Sequence, residues 1–274
     1  MSDFDPRNTL ARDDLAAEAL EGIVRAERFA RPRPMQCVAG SAAIRRAADV
    51  GAEQMDQLLF GEVFEVLDRR DGWLWGQARR DGYVGWVAED ALADGVIAPT
   101  HRIAALRTYV FPEPDIKSGP PTLLTMNALV TVEGRDGRFA RIARAGYVAE
   151  AHLGDLLTFE RDPAAVAELY LGAPYQWGGR ESVGLDCSGL VQQALLACGQ
   201  GCPRDADMPA RDLGDAVAAS ELRRGDLVFW TDHVGMLLDA DRLIHANGFH
   251  MAVAVEALDS AIARNGQPTG YRRP

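Results

Sequence analysis

The stretch Ala173-Pro-Tyr-Gln-Trp-Gly-Gly-Arg-Glu-Ser-Val-Gly-Leu-Asp-Cys-Ser-Gly-Leu-Val-Gln-Gln193 sets a cysteine, Cys187, between a glycine-rich turn and an apolar run. Leu190, Val191, Ala194, Leu195 and Cys198 follow at helical spacing, so the pattern predicts a buried helix starting at Asp186 or Cys187. A helix start carries partial positive charge and unpaired N–H groups, which favour a thiolate, the nucleophilic form of cysteine. A thiolate needs a base that titrates near neutral pH and a group to orient that base. The chain has five histidines. Two of them, His233 and His245, lie in Asp232-His-Val-Gly-Met236 and Leu243-Ile-His-Ala-Asn247, short apolar runs that read as paired strands. A helix followed by such strands would set Cys187 against a sheet carrying both imidazoles.

Five blocks occur in order: Pro174-Tyr175-Gln-Trp177-Gly178-Gly179, Asp186-Cys187-Ser188-Gly189-Leu-Val191, Arg224-Gly225-Asp226-Leu-Val228, His233-Val234-Gly235 and Ile244-His245-Ala246. Over roughly residues 159–274 they resemble the NlpC/P60 cysteine peptidases, which cut bacterial cell-wall peptides. The resemblance implies an α+β, papain-like domain. It gives Cys187 as nucleophile, His233 as base, His245 as the residue orienting that base, and Tyr175 as a hydroxyl beside the oxyanion. Around these blocks, Asp162-Pro163 opens a helix that stops at Gly172-Ala-Pro174. Pro203-Arg-Asp-Ala-Asp-Met-Pro209 reads as a loop, and a short helix follows it. Strands are expected around 226–230, 233–239 and 242–247, with a closing strand near Gly270-Tyr271.

Upstream, residues 33–97 alternate short apolar runs with turn residues and end in Tyr83-Val-Gly85-Trp86-Val87, the pattern of a small barrel. Their order resembles a bacterial SH3-type domain. The plan then repeats at an offset of about 64 residues. Asp71-Gly72-Trp73-Leu74 is echoed by Asp136-Gly137-Arg138-Phe139, and the run from Gly82 by that from Gly146. The second copy, 98–158, lacks the counterparts of Trp73, Trp75 and Trp86 and reads as the more structural of the two. Residues 1–32 read as an arm holding one helix, started by Asp13-Asp14, with Leu15, Ala19, Leu20, Ile23 and Val24 on its face and Pro32 and Pro34 as its stop. The expected fold is therefore an α+β peptidase domain preceded by two small all-β SH3-like barrels.

The formal net charge of −11 argues against nucleic acid and against anionic membrane surfaces as partners. No run approaches eighteen apolar residues, and Met1-Ser-Asp-Phe-Asp-Pro-Arg-Asn-Thr-Leu10 lacks the basic and apolar regions of a secretory leader, so a cytoplasmic location is expected. Four cysteines are too few for a disulfide scaffold, and the Cys198/Cys202 spacing lacks partners for a four-thiolate metal site. No metal and no cofactor are expected.

Asp186 raises a difficulty, because a carboxylate beside a thiolate opposes its ionisation. In relatives with this domain order, the resemblance implies a murein peptide substrate with a free N-terminal L-Ala. Its ammonium is held by the carboxylate before the cysteine, together with a Glu and a Tyr of the first SH3-type barrel. Glu53 and Tyr83 match those places, Asp56 is an alternative to Glu53, and Ser188 would touch the same peptide. The chain departs from the family at Asp205-Ala206-Asp207-Met208-Pro209, where relatives often carry a Ser and a Gln. The activity implied is hydrolysis of the γ-D-Glu–diamino acid bond. The rival readings are an amidase or acyltransferase on the same fold, and a wall-binding module whose peptidase domain is inactive.

Overall fold

The structure, a computed structural model, describes residues 4–274 and divides into two compact units, Met1–Leu156 and Leu157–Pro274. In the first unit, Arg33–Asp94 forms a seven-stranded sheet. Its strand order, by residue range, is 54–59, 41–45, 84–88, 73–78, 63–70, 33–37, 92–94. Met35, Ile44, Leu58, Phe64, Leu74 and Val87 close its core. The repeat then appears in three dimensions. Strands 122–125, 107–111, 146–149, 139–142 and 132–136 lie in the same order, and 129–130, 101–103 and 153–155 complete it as a separate three-stranded sheet. A 3₁₀ turn before the last strand, Glu89–Ala91 in one copy and Glu150–His152 in the other, extends the match.

Two expectations change here. Among its described residues the arm forms no α-helix: it has a two-residue parallel pairing of Ala16–Ala17 with Phe29–Ala30 and one 3₁₀ turn, Glu18–Leu20. Leu15, Ala16 and Ala17 are buried in succession, which a helix with a single apolar face cannot arrange. Gly22, at φ +77°, turns the chain where the helix would have continued. Leu10, Leu15 and Ala17 instead cover Trp75 and Trp86, with the Arg12 guanidinium 4.1 Å from the Trp75 ring and 2.6 Å from Asp68. The tryptophans of the first copy are thus largely a seat for the arm. The second copy is less plain than its composition suggests, since a cavity of about 720 Å³ opens among Tyr109, Phe111, Leu123 and Phe139.

The second unit is α+β. Its sheet has six antiparallel strands in the order 215–216, 270–273, 227–230, 233–237, 242–247, 252–257. Helix Pro163–Leu169 starts where Asp162 accepts hydrogen bonds from the Ala164 and Ala165 N–H groups, with Pro163 in its first turn. Helix Leu258–Asn265 packs Leu258 and Ala261 onto Val228, Leu237 and Leu243 of the sheet. Among the described residues, no helix is long and apolar enough to cross a membrane.

Candidate active site

Cys187 is the first residue of an eleven-residue helix, Cys187–Ala197, whose inward side chains are almost entirely buried. Asp186 is its N-cap: one carboxylate oxygen accepts the Gly189 N–H at 2.8 Å. The other accepts the Gly178 N–H at 2.8 Å, tying the glycine-rich turn to the helix start. That turn lies so close that a Cβ on Gly189 would come within 2.2 Å of the Gly179 carbonyl oxygen, which explains glycine at this helical position.

The same carboxylate is gripped from a third side. Arg204, only 1% exposed, donates from Nη1 to one oxygen at 2.9 Å and from Nη2 to the other at 2.7 Å. It also donates to the Ser188 hydroxyl at 2.8 Å and the Gly179 carbonyl at 3.2 Å. Asp186, expected to bind a substrate ammonium, is thus placed as the partner of Arg204 and of the helix start. Its two oxygens already take four strong donors inside the protein, and its charge is matched by a fork-to-fork arginine. Ser188 likewise faces Arg204 and the Asp186 carboxylate. Arg204 lies in the loop where the family pattern breaks, and its role escaped the sequence reading.

His233 begins strand His233–Leu237, and His245 lies within Arg242–Asn247. Successive side chains of a strand point to opposite faces, and the pairing of Leu237 with Leu243 puts His233 and His245 on one face. Their rings meet through Nε2 of His233 and Nδ1 of His245 at 2.8 Å. A residue outside the motif blocks completes the line: Glu256 brings Oε1 to 2.7 Å from Nε2 of His245, and Arg264 holds both Glu256 oxygens. The sulfur of Cys187 is in reach of the backbone N–H groups of Val234, next to His233, and of Ser188.

The electrostatics differ from the expectation of a thiolate at the helix start. Burial, and secondarily the Asp186 charge, push the Cys187 thiol up to about 12, against the pull of the Val234 N–H, Arg204 and the Ser188 N–H. Burial, then His245 and Arg264, hold His233 down at about 4. Burial also lowers His245 to about 4 despite its bond to Glu256. At these buried positions the neutral thiol and neutral imidazole are therefore the favoured pair, and desolvation outweighs the helix dipole. The Tyr175 phenol is raised, first by burial and then by the nearby Cys187 sulfur, so it stays protonated near that sulfur.

The remaining motif block is structural. Asp226 accepts the Arg223 N–H at 2.9 Å and both forks of Arg273 at 2.8 Å, pinning the last strand to the turn at Gly225. In the first unit, Glu53 pairs with Arg46 at 2.8 Å, Tyr83 is 4% exposed in the barrel core, and Asp56 is fully buried. His250 is exposed, whereas His101 and His152 are half-buried and bonded to Thr100 and Thr108. As for metals, His245, His250 and Glu256 bring ligand-type atoms within 4.8 Å of one another, but Glu256 is already held by His245 and Arg264.

A cysteine at a helix start, two bonded imidazoles and a tyrosine hydroxyl beside the sulfur are the parts of a thiol peptidase. The NlpC/P60 family profile matches residues 172–267, and the profile of the bacterial dipeptidyl-peptidase SH3 domain matches residues 44–92. The chain carries an NlpC/P60 cysteine-peptidase domain behind a bacterial SH3 domain. Dipeptidyl-peptidase 6 of Lysinibacillus sphaericus is 26% identical over 77% of this chain and 86% of its own. Gamma-D-glutamyl-L-lysine dipeptidyl-peptidase of Bacillus subtilis (strain 168) is 24% identical over 75% and 76%. A solved NlpC/P60 family protein from Bacillus cereus ATCC 10987 superposes with a TM-score of 0.75 at 19% identity, covering 88% of this chain and 99% of that one. The NlpC/P60 domain and the SH3 domain ahead of it thus have the expected folds.

Proposed function

We propose that the protein hydrolyses the bond between γ-D-Glu and the diamino acid in murein peptides that begin with a free L-Ala, releasing L-Ala-γ-D-Glu. The observation that carries the chemistry is the 2.8 Å bond between His233 and His245, which occupies Nε2 of His233 and leaves its Nδ1 to serve the thiol of Cys187. His233 takes the thiol proton as sulfur attacks the γ-glutamyl carbonyl, then gives it to the departing amine of the diamino acid. Tyr175 and N–H groups at the helix start stabilise the oxyanion by about 3 kcal/mol per donor. Water activated by His233 then cleaves the thioester.

The choice of substrate is supported by the dipeptidyl-peptidase names of the two relatives and by the SH3 domain type. Such a substrate fits recycling of imported wall peptides in the cytoplasm. Mass spectrometry of L-Ala-γ-D-Glu-meso-diaminopimelate after incubation with the protein is the test. Free diaminopimelate and L-Ala-γ-D-Glu are expected, and release of free alanine or an uncut peptide would overturn the reading.

A further inference from the structure

We propose that Glu256 is a positioning residue of this reaction: it fixes which nitrogen of His245 carries the proton and, through His245, leaves Nδ1 of His233 free to act as base. The inference rests on the peptidase reading of Cys187, His233 and His245 and extends their line by one member. Glu256 lies on strand Ala252–Ala257, beside the His245 strand, with its side chain 12% exposed. His245 is fully buried between Glu256 and His233.

Only one proton can lie in the 2.8 Å contact between the two imidazoles when both are neutral, so two proton orders are open. In the first, His245 donates from Nε2 to the carboxylate, accepts at Nδ1 from Nε2–H of His233, and Nδ1 of His233 holds a lone pair. In the second, Nε2 of His245 is unprotonated and faces a carboxylate oxygen at 2.7 Å, two acceptors with no hydrogen between them. His233 would then carry its proton on Nδ1 and could not accept another from the thiol. An ionised Glu256 selects the first order. Arg264, from helix Leu258–Asn265, keeps it ionised, donating from Nη1 to Oε2 at 3.0 Å and from Nη2 to Oε1. The Arg264 bonds hold the Glu256 carboxyl below the usual range. His250, with its ring 6.4 Å from that of His245, is the other titratable group beside this pair. During attack the thiol proton passes from Sγ to Nδ1 of His233, and the imidazolium formed still donates from Nε2 to His245, so no proton has to move onto Glu256.

The test uses the full chain labelled with ¹⁵N-histidine. Imidazole NMR at neutral pH should show His245 and His233 each protonated at Nε2 and unprotonated at Nδ1. A wild-type spectrum with His245 protonated at Nδ1 overturns the proposal, with no variant required. In Glu256→Gln the amide can present N–H to Nε2 of His245 and reverse the order. The expected result is a loss of roughly 10- to 100-fold in kcat, the scale seen when a partner behind a functional histidine is removed. KM should stay within about twofold, because the substrate is not touched. Iodoacetamide alkylation of Cys187 should slow in parallel. A folded Glu256→Gln protein that keeps its kcat, its alkylation rate and its imidazole pattern overturns the proposal, as does a rise in KM alone. Spectra and alkylation need no peptide, so they decide the role of Glu256 even if the γ-glutamyl peptide proves not to be the substrate.

Discussion

Replacing Arg204 by alanine should be the most disruptive single change in the catalytic unit that leaves the catalytic line itself intact. Arg204 is 1% exposed and Asp186 is 6% exposed, so the variant strands a carboxylate out of water beside the helix start. It also removes donors from the Ser188 hydroxyl and the Gly179 carbonyl. Breaking one side of a buried pair costs about 3–5 kcal/mol, against a total stability on the order of 5–15 kcal/mol. The Gly178 and Gly189 N–H bonds to Asp186 remain and favour the lower part of that range. Because the chain has two units, a global melting curve would blend them. Hydrogen exchange followed by mass spectrometry on the peptide 187–197 reads the helix directly, and protection there should fall by about two to three decades, at 1.4 kcal/mol per decade. Asp186→Asn should restore much of the loss in the double variant, since it removes the stranded charge. A drop in protection of less than about fivefold, or no coupling between the two positions, would refute the claim that Asp186 is neutralised by Arg204.

Cys187→Ala should abolish turnover, and retained hydrolysis would sink the thioester mechanism; His233→Ala should lose nearly as much, and His245→Ala less, in steady-state kcat/KM. The acid limb of kcat/KM should lie well below pH 6.5, because His233 remains a neutral base down to about 4; a limb at 6.5 or above would contradict this burial effect. The same shifts set a stability trend: His233 and His245 bind protons less readily folded than unfolded, so stability is full above about pH 6.5 and is lost as pH falls towards 4, by on the order of 3 kcal/mol per histidine, readable by hydrogen exchange across strands 233–237 and 242–247. An N-acetylated L-Ala-γ-D-Glu-diaminopimelate should be cut more slowly than the free peptide if the proposed substrate is read by its terminal ammonium, and equal kcat/KM on both peptides would reject amine recognition.

What was legible in the sequence follows the strength of the local pattern. The Cys187 helix announced itself through an apolar repeat and an Asp cap, and the strands carrying His233 and His245 through short apolar runs between turns. The repeat of the SH3-like plan showed in its glycine and aromatic spacing, and the structure reproduces it strand by strand. The arm misled because Leu15, Ala19, Leu20 and Ile23 imitate a helical face, while the tryptophan surface that captures it lies more than fifty residues away. Glu256 escaped because Ala252-Val-Ala-Val-Glu-Ala257 is a strand of small residues; the Val253/Val255 alternation was the available signal. Arg204 escaped because nothing local marks a loop arginine as buried; its partner Asp186 lies eighteen residues back and on another element.

Those two missed residues explain how a deeply buried thiol and imidazole line can sit between two carboxylates. At one end, Asp186 caps the helix and ties down the glycine turn, yet its charge beside Cys187 opposes the thiolate that attack must produce. Arg204, bonded to both its oxygens, lowers the same thiol pKa and offsets that opposition. At the other end, Glu256 faces His245, where an unshared carboxylate would draw a proton onto the imidazole pair and silence the base. Arg264 shares that carboxylate, and its charge, together with burial, keeps both rings neutral. Each carboxylate therefore sets geometry while an arginine from a later segment cancels its field, and removing the more exposed Arg264 should shift the titration of the imidazole pair before it disturbs the backbone that carries it.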